Sequence, residues 1–252
     1  MDVEDYLRRL EAVHPGVPGL EALCELQRRH LERVPFENLG RYLGEQVDLD
    51  EKALLDKVVR RRRGGLCYEL NGAFGLLLRG VGFDVRLLAG RVMRRDGGFG
   101  PPLDHLALRV DLDEPWLVDV GFGRFSIRPL RLATTEEQPD PAGGFTVLPA
   151  PHGDVDVLCD GNVVYRLEAR PRELEDFQAM AWWHANSPAS PFAHGPTCSL
   201  VRPGGRVTIA GARLIETERE TRTERVLEHD AEVLAAYREH FGVVLDSVPT
   251  AG

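Results

Sequence analysis

No stretch of the 252 residues approaches the ~20 consecutive apolar positions that a membrane helix needs, which excludes a helical span within them. Surplus positive charge is missing too, with 31 Lys and Arg against 40 Asp and Glu and a formal charge of −9. A chain of that balance lacks the basic face that phosphate-backbone binding requires, so no nucleic-acid or membrane partner is expected. Cysteine is sparse: Cys24, Cys67, Cys159 and Cys198 stand far apart and form no Cys-x-x-Cys pair. That spacing supplies neither a zinc site nor a disulfide framework, so no metal is expected. The opening residues Met1-Asp2-Val3-Glu4-Asp5 are acidic and carry no apolar run. A signal peptide is therefore not expected, and a reducing cytoplasm fits. Internal repeats, low-complexity segments, a Walker motif and a dinucleotide fingerprint are also absent. What is left is an ordinary globular composition, long enough for one large domain or two to three small ones.

Within it, Arg63-Gly64-Gly65-Leu66-Cys67-Tyr68-Glu69-Leu70-Asn71-Gly72 stands out. One cysteine follows a Gly-Gly pair and opens a segment in which Leu70, Phe74, Leu77, Leu78 and Val81 recur at helical spacing. Cys67 is thus expected in the first turn of a buried helix, where the macrodipole favours a thiolate. Gly64 and Gly65 leave room for backbone N–H groups and a substrate to approach the sulfur. The competing reading is an inert buried cysteine, so its partners must decide.

The first 83 residues read as helical, with Tyr6, Leu7 and Leu10 in one segment and Leu20, Leu23, Leu26 and Leu31 in a second. Val34-Pro35-Phe36-Glu37-Asn38-Leu39 interrupts, and Asp50 is placed to cap a third helix. Strands are expected from Phe83 to Met93, His105 to Val110, Trp116 to Val120, Phe145 to Leu148, Val155 to Leu158 and Val163 to Glu168. Short strands with frequent turn signals predict a small antiparallel barrel or sandwich. Pro171 is expected to open a helix through Leu174, Phe177 and Ala181. A hairpin at Ser199 to Arg202 and Arg206 to Ile209 precedes a last helix from about Ala231 to His240, ended by Gly242.

A nucleophilic cysteine needs a base, and the base needs a group to orient it. His105 and Asp119 lie in the two runs of one predicted hairpin. If its turn centres near residue 112 or 113, odd residues face odd residues, and the two side chains share a face within reach of one another. A register one residue off separates them. Asp119 is also a lone acid in an apolar run, which a buried imidazole would satisfy. Together the three predict a Cys67–His105–Asp119 triad.

At these residues the chain resembles the arylamine N-acetyltransferases. The resemblance is carried by Val34-Pro35-Phe36-Glu37-Asn38-Leu39, the Arg63 to Gly72 segment, Asp119-Val120-Gly121-Phe122-Gly123 and Ser187-Pro188-Ala189-Ser190-Pro191-Phe192, in that order. It implies an α+β fold: an N-terminal helical bundle (residues 1–83), a central antiparallel β-barrel (84–190) and a short C-terminal α/β lid (191–252). A cysteine-protease-like Cys-His-Asp core would lie among them. It implies acetyl-CoA as donor, an amine as acceptor and a ping-pong reaction through S-acetyl-Cys67. Phe122 and Phe192 are expected as acceptor-pocket walls, with Tyr68 at the substrate and its N–H or that of Cys67 in an oxyanion hole. Gly121 and Gly123 are expected near the CoA phosphates, and Arg63 with Glu37 as an ion pair bracing the cysteine loop. Core packing for the two phenylalanines and plain surface charge for Arg63 and Glu37 are the alternatives. The oligomeric state is open, a homodimer included. Two other activities use the same triad: an amide synthase that releases a carrier-bound polyketide as a macrolactam, and a papain-like or transglutaminase-like hydrolase.

Overall fold

The protein is described by a computed structural model over residues 3–219 and 221–250. Helices α1 (Val3–Leu10) and α2 (Leu20–Arg33) turn Tyr6, Leu7, Leu10, Leu23 and Leu26 inward. After Pro35 come a two-residue strand β1 (Phe36–Glu37) and the short helices α3 (Leu39–Tyr42) and α4 (Glu51–Leu55). Asp50 caps α4 by accepting the Lys52 N–H at 2.9 Å, and the helix runs on as one π-helical turn, Asp56–Arg60. Helix α5 (Cys67–Val81) is buried almost all round, as a core helix must be when it is apolar on every side. Gly82 ends it at φ +105°, the left-handed position that glycine adopts without a Cβ clash.

Eight strands follow, namely β2 (Asp84–Val92), β3 (His105–Asp111), β4 (Pro115–Val118), β5 (Leu130–Arg131), β6 (Gln138–Asp140), β7 (Gly143–Pro149), β8 (Val155–Cys159) and β9 (Asn162–Arg172). They pair in the antiparallel order β5-β4-β3-β2-β9-β8-β7-β6 and curl into a nearly closed barrel. Strand alternation decides what each face does. Leu87, Ala89, Leu106 and Leu108 pack on α5, whereas Leu88 and Ala107 join Phe125, Phe145, Val157, Tyr165 and Leu167 in the interior. Helix α6 (Gln178–Asn186) then leads to β10 (Thr197–Arg202), β11 (Gly205–Ala210), β12 (Arg213–Glu218), β13 (Thr221–Val226) and α7 (Asp230–Phe241). This second sheet has the order β1-β10-β11-β12-β13, and α7 buries its Cys198, Leu200, Val207, Ile209 and Leu214. Because β1 pairs with β10 (Phe36 opposite Ser199), the segment before the cysteine loop is tied to the C-terminal sheet.

Two expectations need correction. Pro171 does not open a helix; it lies in β9 opposite Leu88, beyond Leu167, the last β9 residue paired to β8. A missing N–H breaks no ladder bond on an unpaired edge, so proline is tolerated there. The helical segment starts later, as a 3₁₀ turn at Leu174–Phe177 that leads into α6. The β12–β13 hairpin was also unread. Thr221–Val226 is exposed throughout and mostly polar, so it carries none of the alternation that marks a half-buried strand. Among the described residues no helix is long and apolar enough to cross a membrane.

Candidate active site

Cys67 is the first residue of α5 and is buried. The glycines before it make room, though for the protein itself. A Cβ at Gly64 would lie 1.8 Å from the Pro35 carbonyl oxygen, and one at Gly65 would lie 2.5 Å from Glu69 Oε2. The Glu37 N–H donates to the Gly65 carbonyl at 3.0 Å, so the two segments run side by side. The space that the missing side chains leave is thus taken by Pro35 and Glu69.

Charges buried beneath this loop hold it. Arg63 donates from Nε to Glu37 Oε1 at 2.7 Å and from Nη2 to Oε2 at 2.9 Å, a two-pronged pair in which both side chains are buried. The surface-charge alternative does not describe them. Glu37 also accepts the N–H groups of Leu39 (2.9 Å) and Gly64 (3.2 Å). Burial alone would raise its carboxyl pKa, but Lys57 and Arg63 outweigh burial and hold it below the usual range. Lys57 pairs in turn with Glu69 at 2.6 Å, and Glu69 accepts the Leu66 N–H at 2.9 Å. Each end of the Arg63–Leu66 turn is therefore anchored to a buried carboxylate.

The β3–β4 register settles the hairpin geometry. Leu108 faces Val118, Arg109 faces Leu117 and Asp111 faces Pro115, so the turn centres on residue 113 and odd faces odd. Asp119, one residue past β4, falls diagonally from His105 on the same face. Its Oδ2 accepts from His105 Nε2 at 2.7 Å with both side chains buried. Nδ1 is the ring nitrogen left for Cys67. Burial disfavours the imidazolium, but the Asp119 charge, the Cys67 charge and hydrogen bonds to both outweigh it and raise His105 to about 10.

Two partners of Asp119 escaped the sequence reading. Asn71 donates from Nδ2 to Asp119 Oδ1 at 2.9 Å and to the Leu106 carbonyl at 2.6 Å, while its Oδ1 accepts the Val120 N–H at 2.9 Å. Tyr165 on β9 donates its hydroxyl to Asp119 Oδ2 at 3.2 Å. With the Gly121 N–H at 2.9 Å, the buried carboxylate is satisfied by four donors. Asn71 did leave a signal: it is a polar residue four positions after Cys67 and so on the same helix face, within a largely apolar helix. Tyr165 left none, because its contact spans 46 residues.

The remaining expected residues divide. Phe122 is half-buried, edge-on to His105 with ring centres 5.2 Å apart. Phe192 is half-buried too, 5.9 Å from Phe36. The Tyr68 side chain is fully buried, and its hydroxyl donates to the carbonyls of Leu103 and Asp104, each at 2.9 Å. Gly121 packs against the protein itself. A Cβ there would sit 2.6 Å from Cys67 Cα and 2.7 Å from Asn71 Nδ2, so the glycine is what lets the Asp119 loop press against α5. Gly123 has φ +89° and its nearest neighbour to an added Cβ is Phe36 at 3.9 Å, which leaves more space. Among the described residues no group of three or more His, Cys, Asp or Glu side chains is arranged around a metal position.

A thiol, an imidazole and a carboxylate thus converge at a helix N-terminus, a constellation suited to acyl transfer through the sulfur. A family model described as N-acetyltransferase matches residues 19–249. The chain is 36% identical over 220 residues to the arylamine N-acetyltransferase / N-hydroxyarylamine O-acetyltransferase of Salmonella typhimurium, covering 81% of this chain and 75% of that protein. It is 34% identical to the arylamine N-acetyltransferase of Mycolicibacterium smegmatis, with 97% and 93% covered. In structure it superposes on the arylamine N-acetyltransferase of Salmonella typhimurium with a TM-score of 0.89 at 31% identity, covering 98% and 92% of the two chains. The Mycobacterium marinum arylamine N-acetyltransferase in complex with CoA gives 0.87 at 31% identity, with 96% and 93% covered. Sequence, fold and site agree, and the chain belongs to the arylamine N-acetyltransferase family, whose acyl donor is acetyl-CoA.

Proposed function

We propose that the chain moves acetyl from acetyl-CoA to the nitrogen of an arylamine, an arylhydrazine or a related amine by a ping-pong route through S-acetyl-Cys67. The observation that carries this reading is the buried 2.7 Å contact between His105 and Asp119, aimed at a cysteine in the first turn of α5. His105 holds the Cys67 proton as imidazolium, and the thiolate attacks the thioester carbonyl. The bond from carbon to the CoA sulfur then breaks, and His105 returns the proton to CoA. In the second half the amine nitrogen attacks S-acetyl-Cys67, His105 accepts the amine proton and Cys67 leaves. Asp119 fixes the imidazole tautomer and stabilises the imidazolium between the steps. The N–H groups of Cys67 and Tyr68, the first two of the helix, have no partner within it and are the donors for the developing oxyanion.

Phe122 and Phe192 serve as the walls against which an aromatic acceptor stacks. CoA phosphates need cations, and Gly123 offers only backbone. Arg206 is the better candidate, since it lies on β11 two residues before Thr208, whose partner across the ladder is Ser199 on β10. It donates to Ser199 Oγ at 3.0 Å and has no carboxylate partner among the described residues. Burial, and secondarily the positive charge of Arg124, lower its pKa to about 10. A phosphate would supply the counter-charge that Arg206 lacks. The division into a bundle (1–83), a barrel (84–190) and a lid (191–252) belongs to this reading, with β1 as the bundle's contribution to the lid sheet. So does a reducing compartment, which keeps the four free thiols as they are.

Mass spectrometry of the protein mixed with acetyl-CoA is the test. An acetyl adduct on Cys67, discharged by an arylamine, is the expected result. No adduct from acetyl-CoA but one from a carrier-bound acyl chain points to the amide synthase. Discharge to water at the same rate with or without amine points to a hydrolase.

A further inference from the structure

A second hydrogen-bonded chain runs through the chain neighbours of the reacting residues, and the acetyl-transfer chemistry makes no use of it. Asp104 precedes His105, Tyr68 follows Cys67, and Phe192 is the proposed acceptor wall. His184 on α6 joins them. It is buried, with ring centres 5.0 Å from Trp183, 5.2 Å from Phe192 and 6.0 Å from Tyr68. Its Nε2 faces Asp104 Oδ1 at 3.0 Å, and its Nδ1 faces Ser190 Oγ at 3.4 Å.

The direction of these bonds follows from what Ser190 already does. Its oxygen accepts the Phe192 N–H at 3.1 Å, which leaves its own proton for His184 Nδ1. The Asp104 carboxylate oxygen only accepts, so His184 Nε2 donates to it and Nδ1 is the acceptor for the serine hydroxyl. Asp104 Oδ2 accepts the Val92 N–H at 3.3 Å, and its carbonyl accepts the Tyr68 hydroxyl at 2.9 Å. On the far side, the Phe192 carbonyl accepts from Asn38 Nδ2 at 3.1 Å and from the Tyr42 hydroxyl at 2.7 Å. The Phe192 backbone is thus held at both its N–H and its C=O.

A hydroxyl, an imidazole and a carboxylate in series have the donor order of a serine-hydrolase triad. Ser190 is fully buried and its oxygen already accepts a backbone proton, so it has no access to a substrate as a nucleophile. A buried imidazole–carboxylate pair is costly to desolvate and is tolerated only when its polar atoms are partnered, as they are here. We propose that Ser190, His184 and Asp104 form a positioning chain that fixes Phe192 relative to His105 and thereby sets the affinity for aromatic acceptors. The inference rests on the acetyl-transfer reading. It assigns His184 and Asp104 no contact with substrate.

Wild type and the variants S190A and H184Q separate the outcomes. Three quantities are needed: the rate of Cys67 acetylation by acetyl-CoA, the KM for an arylamine and for a small aliphatic hydrazine, and the Kd of the N-arylacetamide product on unacetylated enzyme by calorimetry. S190A is expected to raise the arylamine KM and the product Kd about fivefold to tenfold, the worth of one buried hydrogen bond. Cys67 acetylation and the hydrazine KM should stay within about twofold, because neither depends on an aromatic wall. H184Q keeps a donor near the Nε2 position and should show the smaller rise. An unchanged product Kd, an equal rise for the hydrazine, or a parallel loss of acetylation overturns the proposal. If the wild type takes no acetyl at all, the acetyl-transfer reading falls, and the calorimetric Kd still judges the positioning chain.

Discussion

Gly121→Ala isolates the role of the Asp119 loop, because it adds a single methyl group where that loop meets the backbone of Cys67. That methyl carbon would lie 2.6 Å from Cys67 Cα, 2.7 Å from Asn71 Nδ2 and 3.0 Å from Cys67 Cβ. Ordinary contact begins near 3.4 Å, so the loop and α5 must part by about 0.8 Å. Neither side yields freely. The Gly121 N–H holds Asp119 Oδ1, and Asn71 bonds both Asp119 and the Val120 N–H. Overpacking of this kind costs about 1–3 kcal/mol of stability. Displacing a reacting group by roughly 1 Å lowers the rate on the order of 100-fold. The assay is single-turnover acetylation of Cys67 with acetyl-CoA and, separately, with a small aryl acetate. Since the sulfur itself is displaced, both donors should slow by the same factor, with the melting temperature lower by several degrees. A loss confined to acetyl-CoA would return Gly121 to the phosphate site and refute the packing argument. An unchanged rate with both donors would refute it more simply.

Asp119→Asn turns an amide nitrogen toward two of the four donors whichever way it flips, and it removes the charge that holds His105 protonated. Cys67 acetylation should fall at least 1,000-fold (about 4 kcal/mol), and stability by about 3–5 kcal/mol in urea titration. A loss of under tenfold in rate would count against the orienting role. Because His105 is raised from 6.5 to about 10, its contribution to stability is complete below about pH 6.5 and is lost as pH rises through 10. Urea midpoints measured across that window should fall for the wild type and fall less for His105→Gln. Glu37→Gln leaves Arg63 buried with only Glu45 as a charged partner, so a destabilisation of about 3–5 kcal/mol is expected in thermal or urea unfolding. Wild-type stability should also decline once acid protonates Glu37, whose pKa is depressed, and the variant should lack that component. Arg206→Gln should raise the KM for acetyl-CoA several-fold and leave the aryl acetate rate unchanged, and an equal effect on both donors would remove Arg206 from the phosphate site.

The sequence by itself determined the elements whose signal is local. Helical spacing after Cys67 delivered α5 and its start, because a buried helix must repeat its apolar residues every three to four positions. Hairpin parity delivered the shared face of His105 and Asp119, because side-chain direction in paired strands depends only on where the turn is centred. Pro171 misled for a related reason: a proline fits a first helical turn and an unpaired strand edge equally well, and only the end of β8 decides between them. Tyr165, Lys57 and the His184 chain were beyond local reading altogether. Their partners lie 46, 12 and 80 residues away for Asp119, Glu69 and Asp104 respectively. The same limit applies to the glycines. Their absence of a side chain is plain in the sequence, yet whether the vacated space is taken by substrate or by protein is a matter of packing. At Gly64, Gly65 and Gly121 it is taken by Pro35, Glu69 and Cys67. Chain periodicity fixes direction along an element, whereas occupancy of space depends on every element that arrives there, and only the tertiary structure brings them together.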